Sequence, residues 1–391
     1  MIKTVRDLGD ITGKRVLLRS DLNVPLSKNG DILDDTRITA ELPTIRYLME
    51  HGAKVIICSH LGRPNGYDKY LSLLPVAVNL MKRFPNKVRF CDKLVGPEVK
   101  KAISDMKNGE VLLLENTRFD PRETKNEASL VNELASYADI FVNDAFGTAH
   151  RKHASTYGVA IKLPSAIGFL IEKELQVFGE ALSHPKRPFV CVFGGAKVAD
   201  KLKLLSSAVK KADTVLIGGA MAYTFLLAEG INVGDSLVCL ECMNDAKNIL
   251  RDAKENGVKV ILPVDHVARV GEDGRTVRVA QLDRGLVGLD IGEKTIALFK
   301  KEIAKAKQVI WNGPLGMYEE PKYRKGTIKI ARAIAKSGAY SIVGGGDSVS
   351  AINASGVANK INFLSTGGGA SLKLIEGNGN TLPALEVIDK I

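Results

Sequence analysis

Residues 188–197 read PFVCVFGGAK, and they decide the fold of the second half of the chain. An apolar run rich in Val and Phe ends at a pair of glycines, which predicts a buried strand followed by a tight turn. The segment after the turn has apolar residues at three- and four-residue spacing, which predicts a helix. A strand, a glycine turn and a helix in this order are typical of parallel sheets covered by helices. The helical spacing is carried by Val198, Leu202, Leu205, Ala208, Val209 and Ala212.

The same unit recurs on both sides of this stretch. Other apolar runs that end in a turn are RVLLRSD, KVIICSH, EVLLLEN and IFVNDAF in the first half, and TVLIGG, VKVILP, QVIWNG and YSIVGGGD in the second. A chain of 391 residues also exceeds what one hydrophobic core usually organises. We therefore predict an α/β fold with two doubly wound, Rossmann-like parallel-sheet domains joined by an interdomain helix and hinge.

A single apolar stripe near the middle of the chain predicts the interdomain helix, which the His-Pro dipeptide at 184–185 would end. We predict an N-terminal domain at 1–168, this helix at 169–185, a C-terminal domain at 186–375 and a C-terminal segment at 376–391. An ordinary helix within one large sheet is the alternative, because the composition does not shift sharply there. The stripe consists of Ile167, Leu170, Ile171, Leu175, Phe178 and Leu182.

Charge and composition limit the partners without choosing among them. Lys and Arg number 55 and Asp and Glu 44, so the average field of the +11 chain attracts nucleotides, small phosphorylated acids, nucleic acid or acidic lipid. The sequence lacks an apolar leader behind a basic start and an uncharged run of about 18 apolar residues. We expect an unprocessed, cytoplasmic protein with no membrane partner. Reduced core thiols are expected at Cys58, Cys91, Cys191, Cys239 and Cys242, of which the last two form an isolated C-x-x-C pair.

Polar side chains follow the predicted strands of the first half. Ligands of open α/β sheets bind beyond the carboxyl ends of the strands. Guanidinium groups there suit a small ligand with a phosphate and a carboxylate, because Arg binds such oxygens in bidentate pairs. Taken singly, each Arg could be a solvated surface residue, the histidine a structural one and the aspartate a turn former. The candidates are Asp21, Asn23, His60, Arg63, Arg118 and Arg151, with Arg37 on a neighbouring loop.

Glycine clusters follow the predicted strands of the second half, in FGGAK, IGGAM, WNGPLG, VGGGDS and STGGGAS. Backbone N–H groups can approach a phosphate there, so we predict that this half binds the nucleotide. Lys197 and Lys201 share a face of the predicted helix, from which both ammonium groups could reach phosphates. Asp347 follows a glycine run at a strand end, a suitable position for a carboxylate that holds Mg²⁺. The alternatives are a lysine pair on a solvated face and an aspartate that caps a helix.

The motifs that the chain lacks narrow the chemistry. It contains no G-x-x-x-x-G-K-[ST], no H-R-D-x-x-x-x-N, no G-x-G-x-x-G placed after a strand, and no convincing Ser/His/Asp or Cys/His set. Phosphoryl transfer fits this inventory, because it needs positioning and charge neutralisation more than an activated side chain. An NAD-dependent dehydrogenase is a poorer alternative, since its fingerprint is missing. We expect no nucleic-acid partner, since the chain lacks a basic run interleaved with aromatic residues.

In its motifs the chain resembles the phosphoglycerate kinases over essentially its whole length. The matching blocks, in order, are RSDLNVPL, DDTRI, SHLGRP, LLLENTRF, FVNDAFGTAHR, FGGAKVADK, IGGAMAYTFL, GLDIG, WNGPLGMYE, GGGDS and STGGGASL. The resemblance implies a two-domain hinge enzyme that reversibly makes 3-phosphoglycerate and ATP from 1,3-bisphosphoglycerate and Mg-ADP in glycolysis. It also implies a monomer whose C-terminal segment returns to the N-terminal domain, where residues 381–391 would clasp both halves.

The same resemblance implies a role for individual residues. The moving phosphoryl group would be neutralised by Arg37 and Lys197, with Lys201 as a further catalytic cation. No general base is required, because the acceptor is already a carboxylate. Departures at Ser20 and Leu74 lie beside the site and do not put activity in doubt. Phosphoglycerate would be bound by Asp21, Asn23, Arg37, His60, Arg63, Arg118 and Arg151. The nucleotide would be bound by Lys201, Gly288, Glu319, Gly345, Gly346, Asp347 and Ser348, with Glu319 at the ribose and Asp347 near Mg²⁺.

Overall fold

The computed structural model describes residues 1–271, 274–377 and 382–391. Contacts between residues divide the chain into two units. The first unit contains Met1–Gln176 and Gly379–Ile391, and the second contains Val177–Asn378. In the described part of the chain, no helix is both long enough and apolar enough to cross a membrane.

The first unit is built on a six-stranded parallel sheet with the order β3-β4-β2-β1-β5-β6. Side chains of β1, β2 and β4 pack against α1 and α2 in one hydrophobic core. The central strands are continuous apolar runs, as expected where helices cover both faces of a sheet. The strands are β1 Arg15–Arg19, β2 Lys54–Cys58, β3 Val88–Phe90, β4 Val111–Leu113, β5 Ile140–Asn143 and β6 Ser165–Ile167. The helices are α1 Thr36–Glu50, α2 Leu74–Arg83, α3 Pro97–Ser104, α4 Arg122–Lys125, α5 Ala128–Ser136, α6 Val159–Lys162 and α7 Phe169–Ser183, which continues into the second unit.

The second unit repeats this plan with a six-stranded parallel sheet in the order β15-β14-β13-β7-β8-β9. It adds a three-stranded antiparallel sheet in the order β11-β10-β12. The strands are β7 Phe189–Phe193, β8 Thr214–Ile217, β9 Lys259–Ile261, β10 His266–Val270, β11 Arg275–Val279, β12 Leu286–Ile291, β13 Gln308–Asn312, β14 Tyr340–Gly344 and β15 Phe363–Ser365. The helices are α8 Leu202–Ala208, α9 Met221–Ala228, α10 Met243–Glu255, α11 Glu293–Ile303, α12 Lys325–Lys336, α13 Gly346–Ser355 and α14 Gly369–Glu376.

This architecture confirms the predicted α/β class with two parallel sheets. The antiparallel sheet was not predicted, because β11 contains two arginines and a threonine on a largely exposed surface and does not form an apolar run. The predicted interdomain helix corresponds to α7, which ends at Ser183, directly before the His-Pro dipeptide at 184–185.

The cysteines follow the prediction only in part. Cys58, Cys91 and Cys191 are buried free thiols. Cys239 and Cys242 instead form a disulfide, so the prediction of reduced thiols is wrong for this pair. The reason is local, because the turn that leads into α10 brings the two Cα atoms to 5.3 Å, within the range that a disulfide spans.

The C-terminal residues 382–391 contact the N-terminal end of the chain within the first unit. A short helix, α15 Pro383–Glu386, precedes an antiparallel bridge between Ile2 and Lys390. The Asp389 carbonyl accepts a hydrogen bond from the Lys3 N–H at 2.9 Å, and its carboxylate accepts one from the Ser165 N–H at 3.0 Å. Residues 378–381, which belong to the predicted C-terminal segment, lie outside the described residues.

Candidate active site

The predicted phosphoglycerate-binding residues lie at the carboxyl edge of the first sheet. Parallel strands present their carboxyl ends at one edge, which is where ligands bind in open α/β sheets. Arg118 lies in a short 3-10 turn, Thr117–Phe119, beyond β4. The other candidates are Asp21 and Asn23 after β1, His60 and Arg63 after β2, Arg151 in the chain beyond β5, and Arg37 in the first turn of α1.

The loop at Gly62 connects several of these residues. Its N–H donates to Asn23 Oδ1 at 2.8 Å, and its carbonyl oxygen accepts a hydrogen bond from Arg118 Nη1 at 2.5 Å. Nearby, Arg37 Nη1 forms an ion pair with the buried carboxylate of Asp21. A buried carboxylate requires such a partner, because an unpaired charge away from water is costly. The side chains predicted as ligands therefore also hold the ends of β1, β2 and β4 together.

Positive charge dominates this edge. Burial lowers the pKa of Arg118 to about 10, and the neighbouring Arg151, Arg19 and Arg63 contribute to the shift. Burial, followed by Arg63, also lowers the pKa of Arg151. These shifts mean that each cation is destabilised by desolvation and by the others. An anion among them would relieve both effects, so the edge suits a phosphate or carboxylate ligand.

His60 is almost fully buried within this cationic cluster. Its Nδ1 atom lies 3.2 Å from Nη2 of Arg19, the last residue of β1. Burial lowers the pKa of His60 well below its usual value, and the charges of Arg19, Arg118 and Arg37 lower it further. The ring is therefore neutral at physiological pH. It can offer a hydrogen bond to a ligand but not a charge.

Two buried carboxyl groups lie behind Asp21. Glu41 Oε1 accepts a hydrogen bond from the Asp21 N–H at 2.7 Å. Asp144 accepts hydrogen bonds from the Thr44 hydroxyl and, at 3.0 Å, from the N–H of Ile171 in the first turn of α7. Burial, reinforced by Asp144, raises the pKa of Glu41, and burial raises the pKa of Asp144 to about 7. Neither residue was predicted from the sequence, because both lie within unremarkable helical or strand patterns.

In the second unit, the glycine turns lie at the carboxyl ends of the strands and pack backbone against backbone. The Gly195 N–H donates to the Pro314 carbonyl oxygen at 2.8 Å, and the Gly219 N–H donates to the Leu315 carbonyl oxygen at 3.0 Å. These contacts join the turns after β7, β8 and β13. At this edge the glycine turns are thus in backbone contact, and backbone N–H groups of such turns are able to bind a phosphate.

Lys201 is buried against these turns. Its ammonium group donates to the Gly194 carbonyl oxygen at 2.5 Å and lies 3.4 Å from the Asn312 carbonyl oxygen. Burial lowers the pKa of Lys201 to about 8, against the opposite effect of Asp347 and Asp200. The ammonium group is therefore poorly compensated and close to the strand edge. It can contribute a positive charge to a phosphate there.

Gly313 explains why a glycine is required beside Lys201. Its φ is +91°, in the region that favours glycine. A Cβ atom at this position would lie 2.2 Å from the Gly194 carbonyl oxygen and 2.4 Å from Lys201 Nζ. Any side chain would therefore displace the ammonium group from the turn.

The prediction that Lys197 and Lys201 share a helix face is wrong. Helix α8 begins only at Leu202, after a 3-10 turn at Ala199–Lys201, and Lys197 lies exposed in the preceding loop. Val198, which the helical spacing includes, is a buried residue of this loop and does not belong to the helix. The turn at the glycine pair extends further than periodicity indicated, so the two lysines differ in both burial and environment.

The N-terminus of α13 contains the predicted Gly345–Ser348 group. Gly345, with φ of +98°, is the N-cap, and Gly346 is the first helical residue. Asp347 is therefore an exposed residue of the first turn and does not cap the helix, which excludes that alternative. The Ser348 hydroxyl accepts a hydrogen bond from the Gly313 N–H at 2.6 Å, so it holds the neighbouring turn in position.

Gly288 and Glu319 lie in different surroundings. Gly288 is buried in β12 and its N–H donates to Ser236 Oγ at 3.0 Å. A Cβ atom there would lie 2.1 Å from the Tyr223 hydroxyl oxygen, so Gly288 makes room for that ring. Glu319 is exposed in the turn after β13.

Tyr318 was not predicted, although it belongs to the WNGPLGMYE block. Burial raises the pKa of its hydroxyl, which is hydrogen-bonded to Ser350 of α13 and lies near Asp347 and Glu319. Tyr318 thus connects the turn that carries Glu319 to the helix that carries Asp347. The sequence offered no signal beyond its position between two predicted residues.

The chain is similar to phosphoglycerate kinases over almost its whole length. Residues 5–378 match the family model described as phosphoglycerate kinase. The phosphoglycerate kinase of Clostridium tetani is 48% identical over 395 residues, covering 99% of this chain and 98% of the relative. That of Chloroflexus aggregans is 53% identical over 386 residues, covering 96% of each chain.

Solved structures give the same result. The phosphoglycerate kinase of Coxiella burnetii has a TM-score of 0.84 at 37% identity, and that of Pyrococcus horikoshii has a TM-score of 0.86 at 35% identity. Each alignment covers 99% of this chain and 98% of the solved one. The fold and these matches define an α/β phosphotransferase with a carboxyl group as acceptor (EC 2.7.2.3). The chain belongs to the phosphoglycerate kinase family.

Proposed function

We propose that this protein catalyses reversible, Mg²⁺-dependent phosphoryl transfer between 1,3-bisphosphoglycerate with ADP and 3-phosphoglycerate with ATP, in cytoplasmic glycolysis and as a monomer. The observation that carries the proposal is the cationic carboxyl edge of the first sheet, where burial and mutual repulsion lower the pKa values of Arg118 and Arg151. Such an edge favours a small ligand with several negative charges. The names of the relatives supply the identity of that ligand.

In the first unit, phosphoglycerate binding is assigned to two kinds of group. Arg63, Arg118 and Arg151 form the mutually repelling cations, which gain most from an anion. Asp21, Asn23 and His60, with Arg37, offer hydrogen bonds that orient the ligand. Because Asn23 and Arg118 are both bonded to Gly62, the two kinds of group are held at a fixed separation before the ligand arrives.

In the second unit, nucleotide phosphates are assigned to the glycine turns, Lys201 and the N-terminus of α13. The backbone N–H groups at Gly345 and Gly346 begin this helix, whose dipole favours negative charge. Ser348 supports the turn at Gly313. Gly288 is assigned to the wall of the site and Glu319 to the ribose. Asp347 fits Mg²⁺, because its exposed carboxylate stands at this helix start and a nucleotide-bound Mg²⁺ usually takes one or two carboxylates. The ion would neutralise phosphate charge.

The proposed mechanism is neutralisation of charge without a general base. The acceptor is a carboxylate with no proton to lose, so the barrier is dominated by repulsion between anions. Arg37 and Lys197 are assigned to the transferring group, and Lys201 adds a third cation. Lys197 is exposed in a loop, so it has the freedom to reach the phosphates when the ligands come together. Exclusion of water from the site would strengthen this neutralisation, because charges attract more strongly in a dry site.

A coupled assay tests this proposal. NADH oxidation would be followed with 3-phosphoglycerate, Mg-ATP and glyceraldehyde-3-phosphate dehydrogenase, for the wild type, Arg37→Ala and Lys197→Ala. We expect turnover in the wild type and a loss of about 10²-fold or more in each variant. Arg46→Ala and Lys203→Ala remove exposed cations from α1 and α8 and should retain activity.

The outcomes separate the reaction from the mechanism. Turnover that survives both substitutions would leave the reaction in place and refute the assigned roles of Arg37 and Lys197. A folded wild type without turnover would refute the proposed function itself.

A further inference from the structure

Arg19 is a fully buried arginine behind the predicted phosphoglycerate residues. It is 0% exposed, although Arg is among the residues that are almost never fully buried unless paired. Its Nε donates to Ser155 Oγ at 2.8 Å, and its Nη1 donates to the Ser20 carbonyl oxygen at 2.5 Å. Its Nη2 lies 3.2 Å from His60 Nδ1. The function proposed above assigns no role to this side chain.

The chemistry of the guanidinium group decides the direction of the contact with His60. Arginine is always charged in proteins, and its nitrogen atoms donate hydrogen bonds but do not accept them. His60 Nδ1 must therefore be the acceptor, which requires this nitrogen to be unprotonated. A neutral ring with a lone pair on Nδ1 carries its proton on Nε2.

The surroundings of His60 favour this neutral form. Besides burial, the charges that lower the pKa of its ring belong to Arg19, Arg118, Arg37 and His153. Nε2 forms no hydrogen bond with the described residues, and it is not among their fully buried atoms without a partner, so it reaches the surface of the site. The ring thus presents an N–H group toward the predicted ligand.

Ser155 and Glu123 hold Arg19 in position. Glu123 is buried, and its carboxylate accepts hydrogen bonds from the Ser155 N–H at 2.9 Å and from the Ser155 hydroxyl at 2.5 Å. Ser155 lies in a π-helical turn, Ala154–Gly158, a form that often occurs at functional sites. The negative charge of Glu123 therefore acts on Arg19 through a bridging serine. His153 Nδ1 lies 3.9 Å from the same carboxylate.

We propose that Arg19, held by Ser155 and Glu123, is a positioning residue that fixes His60 as the Nε2-protonated neutral tautomer, which donates to an anionic oxygen of phosphoglycerate. The identity of this ligand rests on the function proposed above. Arg19 itself does not touch the ligand. Its role is to decide which ring nitrogen of His60 carries the proton.

Nitrogen NMR of the histidine-labelled full chain tests the tautomer without any reference to activity. In the wild type we expect His60 to show an unprotonated Nδ1 and a protonated Nε2 between pH 6 and pH 8.5, with His60→Gln used to assign its signals. In Arg19→Met this pattern should be lost, through a mixture of tautomers. Arg15→Met removes an ion-paired arginine from the other end of β1 and should leave the His60 signals unchanged.

Kinetics provide the second measurement. Arg19→Met should raise KM for 3-phosphoglycerate by about 10-fold or more, the usual effect of losing a hydrogen bond to a charged group. KM for Mg-ATP should change little. If Arg19→Met does not fold because Glu123 is left unpaired, the double variant Arg19→Met/Glu123→Gln removes that charge and takes its place in both experiments.

The results distinguish this inference from the proposed function. A protonated Nδ1 in the wild type, or an unchanged tautomer in Arg19→Met, would overturn the role of Arg19 even if the enzyme is fully active. Absence of turnover and of any His60 Nε2 shift on adding 3-phosphoglycerate would instead overturn the ligand assignment. The expected tautomer together with a selective rise in KM supports both.

Discussion

The ammonium group of Lys201 donates a 2.5 Å hydrogen bond to the carbonyl oxygen of Gly194, at the turn that follows β7. This contact holds a cation at the glycine-lined edge, and no carboxylate of the described residues forms a salt bridge with it. A buried lysine gives up its proton more easily than a solvated one, because burial destabilises the charged form.

The first prediction concerns the pH dependence of nucleotide binding. The pKa of Lys201 is about 8, so the group is mostly charged at pH 7 and mostly neutral at pH 9. The charged form is the one that binds phosphate. We therefore expect the Kd for Mg-ADP, measured by calorimetry, to rise by about 10-fold between pH 7 and pH 9, a factor that corresponds to one pKa unit. Lys201→Met should bind weakly with a flat profile.

Lys203→Met serves as the control, because Lys203 is exposed and lies two residues further along the chain, in the first turn of α8. It should keep the wild-type profile. An unchanged profile in Lys201→Met would show that another group is responsible.

The second prediction concerns Gly313→Ala. The added Cβ would lie within 2.4 Å of Lys201 Nζ and 2.2 Å of the Gly194 carbonyl oxygen, at a φ of +91°. We expect destabilisation by about 2–5 kcal/mol in urea unfolding, from backbone strain together with overpacking. Gly338→Ala is the matched control, because its φ is +73° and a Cβ atom there meets nothing within 4 Å. It should cost only about 1–2 kcal/mol. Equal costs for the two variants would contradict the close packing at Gly313.

The third prediction concerns the stability of the second unit as a function of pH. Asp290 is buried and accepts hydrogen bonds from the N–H groups of Ile291 and Gly326. Burial raises its pKa to about 7 from an ordinary value of 3.8. The folded protein therefore holds a proton that the unfolded chain releases between about pH 4 and pH 7. The free energy of unfolding should fall across this window, on the order of 3 kcal/mol for this group.

Asp290→Asn cannot ionise, so its unfolding free energy should fall less between pH 4.5 and pH 7.5 than that of the wild type. Asp283→Asn changes an exposed carboxylate of the same unit and should follow the wild type. Parallel curves for the wild type and Asp290→Asn would refute the assignment.

The fourth prediction concerns the C-terminal residues. Leu382, Leu385 and Ile388 are buried in the first unit, and Ile391 is 72% exposed. Leu385→Ala should lower the free energy of unfolding by about 2–5 kcal/mol, the usual cost of such a truncation in a core. Ile391→Ala should have almost no effect. Deletion of 382–391 should lower both thermal stability and turnover. If both stayed unchanged, the hypothesis that the C-terminal segment acts as a clasp would be wrong.

The sequence predicted the two parallel sheets well because their strands are unbroken apolar runs that end in glycine or polar turns. Strand β11 was missed, because three of its five residues are polar or charged and its sequence resembles a loop. Lys197 was assigned to a helix because periodicity cannot show where a turn after glycine stops. These errors come from local structure that the tertiary context determines.

The cluster behind the site could not be predicted for a different reason. Arg19, Glu123 and Ser155 are far apart in the sequence, and each resembles an ordinary residue of its own segment. Only the fold brings this buried guanidinium group, hydroxyl and carboxylate together as a series of hydrogen bonds. The cations at the strand ends were predictable, because the carboxyl ends of parallel strands lie along the same edge of the sheet.

The buried carboxyl groups of Glu41 and Asp144 have a further consequence. Glu41 accepts the N–H of Asp21, and Asp144 accepts the N–H of Ile171 at the start of α7. Burial raises the pKa values of both groups, so each carboxyl keeps its proton to a higher pH than a solvated one does. Because Asp144 also raises the pKa of Glu41, ionisation of one carboxyl makes ionisation of the other less favourable, and the ligand edge and the start of α7 are thus linked through one buried acidic pair.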